Sequence, residues 1–281
     1  MAAPFPTSIA FIGGGNMARS LIGGAIAGGA DATAIHVAEP VAGLRQALAQ
    51  DFGVHAHATA AQAAAHAQVW VLAVKPQVMR AVCAELAALA CERLPLVVSI
   101  AAGITVAQLQ RWLSASDAGA ALPVVRAMPN TPALLGAGVT GLHASAQVDA
   151  HERKAAEQLL ASAGATVWIE DEAQMDAVTA LSGSGPAYVF LLAEAMQAAG
   201  EAEGLPAQAA RELTLQTVLG AARMLTEGDA TPAELRQRVT SPGGTTQAAV
   251  DTLQAGGFEA LLARAIHAAR VRGGELSRGN D

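Results

Sequence analysis

Aromatic side chains are nearly absent from this sequence: five Phe, three Trp and one Tyr, 3% of 281 residues. Single-stranded nucleic acid is bound on aromatic stacking platforms, so that class is disfavoured. A net charge of −7 points the same way, because phosphate backbones need a basic surface. Only two cysteines occur, Cys83 and Cys91, eight apart in a helical pattern. They match no zinc spacing and no disulfide framework, which suits a reducing, cytoplasmic setting. No apolar run reaches the roughly 20 residues that cross a bilayer. Met1 to Thr7 carries two prolines and no basic segment, unlike a secretory leader. No carboxylate pair or histidine cluster argues for a metal. His55 and His57 are the one close pair, and on an edge strand they read as surface residues.

What the sequence does have is apolar mass, 52% of residues against 15% charged, much of it alanine. That is globular composition, with room for two cores at roughly 100–200 residues per domain. The first half alternates short apolar runs with helical patterns. Ile9–Ile12, Ile35–Ala38, a weaker run near Val54, Val69–Val74, Leu96–Ile100 and Val124–Ala127 read as strands. Val139 and Val167–Ile169 read as additional edge strands. Such alternation predicts an α/β fold, a doubly wound parallel sheet with helices on both faces. From about Glu172 no strand pattern remains. Helical patterns cover 176–181, 187–203, 206–227, 232–239 and 245–272, broken by Gly204, Gly228 and Gly256-Gly257. The expected domains are 1–171, dinucleotide-binding, and 172–281, helical. The wide apolar faces of the second are covered most simply by another copy of the chain, in a two-fold dimer.

Two glycine-rich turns carry the chemistry. Gly13-Gly14-Gly15-Asn16-Met17-Ala18 follows the first strand, Ile12 being its last residue, and opens a helix. It fits G-x-G-x-x-A, whose amides face a pyrophosphate at the helix N-terminus. Glu39 ends the second strand, 24 residues after Gly15. An acid there accepts from a ribose 2′-hydroxyl and favours NAD(H), or is an ordinary solvated strand-end residue. Arg45 is close enough in sequence to offset it. Val74-Lys75-Pro76 ends the fourth strand, where doubly wound sheets hold ligands, and Lys75 is one of only two lysines. Ser99-Ile100-Ala101-Ala102-Gly103 and Met128-Pro129-Asn130-Thr131-Pro132 follow strands too and would line the same crevice.

The second turn is Val239-Thr240-Ser241-Pro242-Gly243-Gly244-Thr245-Thr246, placed just before a helical pattern. Glycines leave amides uncovered, and amides at a helix start beside hydroxyls suit a carboxylate or a phosphate. A plain capped loop before a surface helix is the competing reading.

Taken in order, these motifs, with Asp176-Ala177-Val178-Thr179-Ala180-Leu181-Ser182-Gly183-Ser184-Gly185-Pro186-Ala187-Tyr188, resemble pyrroline-5-carboxylate reductase over essentially the whole chain. The first motif is shared with many dehydrogenases; the last two are specific to this family. The resemblance implies a Rossmann-like domain, an all-α C-terminal dimerisation domain, and often further assembly to a decamer. It implies hydride transfer from NADP(H) to the imine of L-1-pyrroline-5-carboxylate, giving L-proline. It places Ile12, Gly13, Gly14, Gly15, Asn16, Met17, Val74, Lys75 and Pro76 at the cofactor, with Ala101 and Ala102 near the nicotinamide. It places Ser241, Gly243, Gly244 and Thr245 at the substrate carboxylate, Thr246 near the ring nitrogen as the candidate catalytic hydroxyl, and Glu172 close to the substrate. Glu39 departs from the segment that many relatives place beside the 2′-phosphate. A β-hydroxyacid dehydrogenase shares the layout but not the Ser241–Thr246 loop. A cofactor-sensing protein without turnover is the non-enzymatic alternative.

Overall fold

The computed structural model describes residues 8–114 and 122–279; Met1 to Thr7, where no leader is expected, lies outside them. Eight strands form one sheet in the order β3-β2-β1-β4-β5-β6-β7-β8. They are β1 (Ile9–Ile12), β2 (Ile35–Ala38), β3 (His55–His57), β4 (Val69–Leu72), β5 (Leu96–Ser99), β6 (Val124–Met128), β7 (Gly138–Ala144) and β8 (Gly164–Trp168). β1 to β6 are parallel, with Ile9 opposite both Ile35 and Val69. Six helices accompany them: α1 (Asn16–Ala27), α2 (Ala42–Phe52), α3 (Ala60–Ala64), α4 (Pro76–Arg93), α5 (Val106–Leu113) and α6 (Ala150–Ala161).

Strand periodicity sorts the apolar residues into two cores. Ile9, Phe11, Val69, Val71, Leu96 and Val98 pack with Leu21 and Ile22 of α1, Leu48 of α2 and Leu159 of α6. Ala10, Ile12, Trp70, Leu72 and Val97 point the other way, onto Met79 and Leu86 of α4 and Leu109 of α5. Strands buried on both faces need uninterrupted apolar runs, which is why the alternation of a half-solvated strand is missing here. Each large side chain buried fully contributes about 1.5–3 kcal/mol. Trp70 is fully buried, and its indole N–H donates to the carbonyls of Ala64 and Ala67, both at 3.1 Å.

The far edge differs from the expectation. Only a short 3₁₀ segment, Thr131–Leu135, joins β6 to β7, too short for a parallel crossover, so β7 returns antiparallel. β8 then pairs parallel to β7 by way of α6 and is the true edge, so Val139 lies one strand inside it.

The remaining helices are α7 (Met175–Val178), α8 (Gly185–Ala202), α9 (Ala207–Glu227), α10 (Pro232–Arg238), α11 (Thr245–Ala255) and α12 (Phe258–Gly279). No strand follows Trp168 among the described residues. Gly256-Gly257 separates α11 from α12, with Gly257 at φ 76°. Among the described residues, no helix is long and apolar enough to cross a membrane.

Contacts divide the chain into two compact units, residues up to 184 together with those from 269 on, and Gly185–Ala268. This division differs from a cut at 171. The segment 172–184 is held on the sheet: Asn130 Nδ2 donates to the Ser182 carbonyl at 3.1 Å, and Arg126 pairs with Glu172 and Asp176. Contact there is close: a Cβ on Gly183 would lie 2.6 Å from Met128 Cε, and that flexible side chain would have to shift. In the second unit, large apolar side chains are exposed, including Phe190 at 66% and Leu191 at 65%.

Candidate active site

The switch point of the sheet lies where β1 meets β4, and the loops after those strands meet there. Ile12, the last residue of β1, leads into Gly13, which sits at φ 110°. A Cβ on Gly13 would lie 2.7 Å from the Ala73 carbonyl oxygen and 3.2 Å from Val74 Cγ1. That proximity brings Val74, Lys75 and Pro76 beside the turn. Lys75 is exposed at the N-cap of α4, with Pro76 as its first helical residue. Gly15 is the N-cap of α1, and Asn16 and Met17 begin the helix; no side chain caps it and no acid lies in its first turn. A Cβ on Gly15 would meet nothing within 4 Å, at an ordinary φ of −69°. The protein's own packing therefore does not require glycine at 15. An outside group approaching the amides would. The helix dipole favours an anion at that point.

Gly14 faces Glu39. Its amide donates to Glu39 Oε2 at 3.4 Å, and Val41 N donates to Oε1 at 3.0 Å. Glu39 is thus buried against the turn rather than a solvated strand end. Arg45 does not pair with this carboxylate; it donates to the Glu39 and Pro40 carbonyls at 2.8 and 2.7 Å.

After β5, Ala101 is buried and Ala102 is exposed. Ala101 N donates to Ser99 Oγ at 3.4 Å, and Gly103 adopts φ 72°. Thr105 and Gln108 then close a capping box that starts α5. Asn130 spends its amide within the first unit, since its Oδ1 accepts Val139 N at 2.9 Å. Glu172, expected at the substrate, has Oε1 occupied by two donors: Val106 N at 2.8 Å and Arg126 Nη1 at 3.1 Å. Arg126 carried no assigned role in the sequence. Its signal was a lone charge inside an apolar strand, where an unpaired cation is not tolerated.

In the second unit, Ser241, Gly243, Gly244, Thr245 and Thr246 come together at the start of α11. Gly243 adopts φ 69°, and Gly244 is the N-cap, its amide donating to the Ser241 carbonyl at 3.0 Å. A Cβ on Gly244 would lie 2.6 Å from Ser241 Oγ, so the serine hydroxyl and the helix start are adjacent. Gln247, not anticipated from sequence, reaches back so that its Oε1 accepts Gly243 N at 2.7 Å. No acid occupies the first turn. Thr246 is half-buried and Thr245 exposed.

Four histidines gather at the β2–β3 edge. His36 Nδ1 lies 3.0 Å from His57 Nε2, and His36 stacks on His55, His57 and His66 with ring centroids 4.9–5.2 Å apart. Burial, then the neighbouring rings, pushes His36 down to about 4 and lowers His57 as well. Among the described residues, no group of three or more His, Cys, Asp or Glu side chains could hold a metal ion.

A family model described as pyrroline-5-carboxylate reductase dimerisation matches residues 172–276, and one described as NADP oxidoreductase coenzyme F420-dependent matches residues 8–103. The chain is 54% identical to the pyrroline-5-carboxylate reductase of Pseudomonas aeruginosa over 270 residues, covering 96% of each. Among solved structures, a pyrroline-5-carboxylate reductase from Coxiella burnetii superposes with a TM-score of 0.91 at 44% identity, over 96% of this chain and 98% of that one. The pyrroline carboxylate reductase of Plasmodium falciparum, with NADP bound, gives 0.82 at 26% identity, over 96% and 98%. Sheet order, glycine turn and matched regions define a dinucleotide-dependent oxidoreductase with a helical dimerisation region. Within that class, the chain belongs to the pyrroline-5-carboxylate reductase family.

Proposed function

We propose that this chain reduces L-1-pyrroline-5-carboxylate to L-proline, the last step of proline biosynthesis, using NADP(H), with NADH also accepted. The observation that carries the reading is Gly15: an uncapped helix start with open space over a glycine that the fold itself does not need. Such a start fits a pyrophosphate, and the bound dinucleotide would supply the hydride. Ile12 to Met17 and Val74 to Pro76 would hold the dinucleotide, with Ala101 and Ala102 towards its nicotinamide end.

The hydroxyls of Ser241 and Thr245 and the helix-start amide of Thr245 receive the substrate carboxylate, because an uncapped helix N-terminus stabilises negative charge. Gly243 and Gly244, whose amides serve Gln247 and the Ser241 carbonyl, shape the turn that presents them. Gln247 holds Gly243 in place by accepting its amide proton. The Thr246 hydroxyl orients the ring nitrogen or relays a proton to it from water; protonation makes the imine carbon more electrophilic. Positioning of donor and acceptor carbons supplies much of the acceleration.

The chain acts as a homodimer, with decamers as a higher assembly, in the cytoplasm. The exposed apolar side chains of the second unit support the dimer, since a face of that kind calls for a partner. Purified protein given pyrroline-5-carboxylate is expected to oxidise NADPH and form proline. Absence of turnover with either NADPH or NADH would sink the reading, and turnover of 3-hydroxy acids instead would favour a β-hydroxyacid dehydrogenase.

A further inference from the structure

Arg126 is a buried cation, its side chain 5% exposed, on the strand β6. Its guanidinium spans two carboxylates, reaching Glu172 Oε1 at 3.1 Å and Asp176 Oδ1 at 3.4 Å. The Glu172 oxygen that meets Arg126 also accepts the amide of Val106 at 2.8 Å. Val106 is the first residue of α5, so Glu172 sits at the positive end of that helix dipole. The five residues before Val106 are the loop that carries Ala101 and Ala102.

That loop is pinned at both ends and packs into the core through Ile104, which is fully buried. It is fixed at its start by Ala101 N on Ser99 Oγ, and it turns at Gly103 with φ 72°. Its end is set by Thr105, Val106 and Gln108. Gln108 is itself buried, and its Nε2 donates to the Ser277 carbonyl at 3.1 Å. The Ser277 hydroxyl donates to Asp176 Oδ1 at 3.5 Å, which closes the bracket. A buried guanidinium is always charged and presents donors in a fixed fork, so it sets the position of both carboxylates. Glu172 in turn sets the height of the α5 start above β6.

We propose that Arg126 and Glu172 are positioning residues for the nicotinamide end of the cofactor, acting through the Val106 amide on the 101–105 loop. The inference rests on the reading of Ala101 and Ala102 as nicotinamide neighbours. It gives Glu172 a task other than touching the substrate, and it gives Arg126 one where the sequence offered none.

Calorimetry on the full-length protein tests it with two probes, NADP⁺ and 2′,5′-ADP, the latter lacking the nicotinamide half. Glu172→Ala is expected to weaken NADP⁺ by about tenfold, the scale of one charge-assisted hydrogen bond, and to leave 2′,5′-ADP within about twofold. Glu172→Gln keeps an acceptor for Val106 N and is expected to recover most of the NADP⁺ affinity. Should Glu172→Ala not fold, Glu172→Asp withdraws the acceptor by one methylene and is expected to give a partial loss confined to NADP⁺. Equal weakening of both probes would mean a general loss of structure and would overturn the proposal. So would unchanged NADP⁺ affinity with only the KM for pyrroline-5-carboxylate raised, the signature of direct substrate contact. A wild-type protein that binds neither probe removes the dinucleotide reading beneath the proposal. One that binds both equally tightly removes the nicotinamide contact on its own.

Discussion

The amide of Gly14 donates to the carboxylate of Glu39 at 3.4 Å, so the acid that ends the second strand is tied to the glycine turn that follows β1. A 2′-phosphate on the adenosine ribose brings negative charge towards this carboxylate, whereas a 2′-hydroxyl can donate to it. Glu39→Gln preserves the shape and an acceptor while removing the charge. The kcat/KM ratio of NADPH to NADH is expected to rise by about tenfold, ~1.4 kcal/mol. An unchanged ratio would mean that Glu39 serves only to hold Gly14 and Val41.

Gly13 and Gly15 answer to different demands and separate cleanly by mutation. Gly13→Ala places a methyl 2.7 Å from a carbonyl oxygen at φ 110°, which costs about 1–3 kcal/mol in strain alone. Gly15→Ala meets open space, so its thermal stability stays within about 1 kcal/mol of wild type. Its affinity for NADP⁺ nevertheless falls, because the methyl stands between the amides and the pyrophosphate. Paired melting curves and binding isotherms check both. Full cofactor affinity in Gly15→Ala contradicts the placement of the pyrophosphate.

Thr246→Val keeps the volume of the side chain and removes its hydroxyl. A loss of about 1–3 kcal/mol in kcat/KM for pyrroline-5-carboxylate is expected, with cofactor affinity unchanged. Wild-type kinetics in this variant take Thr246 out of the mechanism.

The histidine stack makes stability fall in mild acid. His36 is held near 4 when folded against 6.5 in the unfolded chain, mainly by burial and then by His57, His66 and His55. The unfolded state therefore binds more protons between these values, and the stabilisation present above pH 6.5 is lost as pH falls towards 4. His66 follows α3, which has no charged residue. Glu85 of α4 reaches only as far as Ala61 N, at 3.5 Å. His36→Gln is expected to flatten the dependence of Tm on pH between 7 and 5, removing about one proton from the uptake on unfolding. Superimposable pH profiles for variant and wild type would refute this.

Most of the sheet is legible in the sequence because its strands are short apolar runs with clear stops, such as Val69–Leu72 before Lys75-Pro76. The glycine turn is legible for the same local reason. Features that depend on distant pairing are not. His36 and His57 stand 21 residues apart, and only parallel register lays their rings together. Arg126 and Asp176 stand 50 apart. The turn of π-helix at Thr179–Gly183 is hidden for another reason. Its wider winding has no signature in a pattern read at 3.6 residues per turn. The antiparallel return of β7 was visible in principle, since the connection from Met128 to Gly138 leaves no room for a crossover helix.

The last helix, α12, begins among residues of the second unit and ends in the first, where Ser277 meets Gln108 and Asp176. The order of synthesis turns this into a constraint. When residues 8–184 have left the ribosome, all eight strands exist but the carbonyl that receives Gln108 has not been made. The sheet unit can collapse early, yet it reaches its finished form only when the final helical turn returns across a separation of 169 residues. Closure over so long a span is slow relative to local pairing. The nascent sheet thus holds the start of α5 through Glu172 before the Ser277 carbonyl is there to receive Gln108.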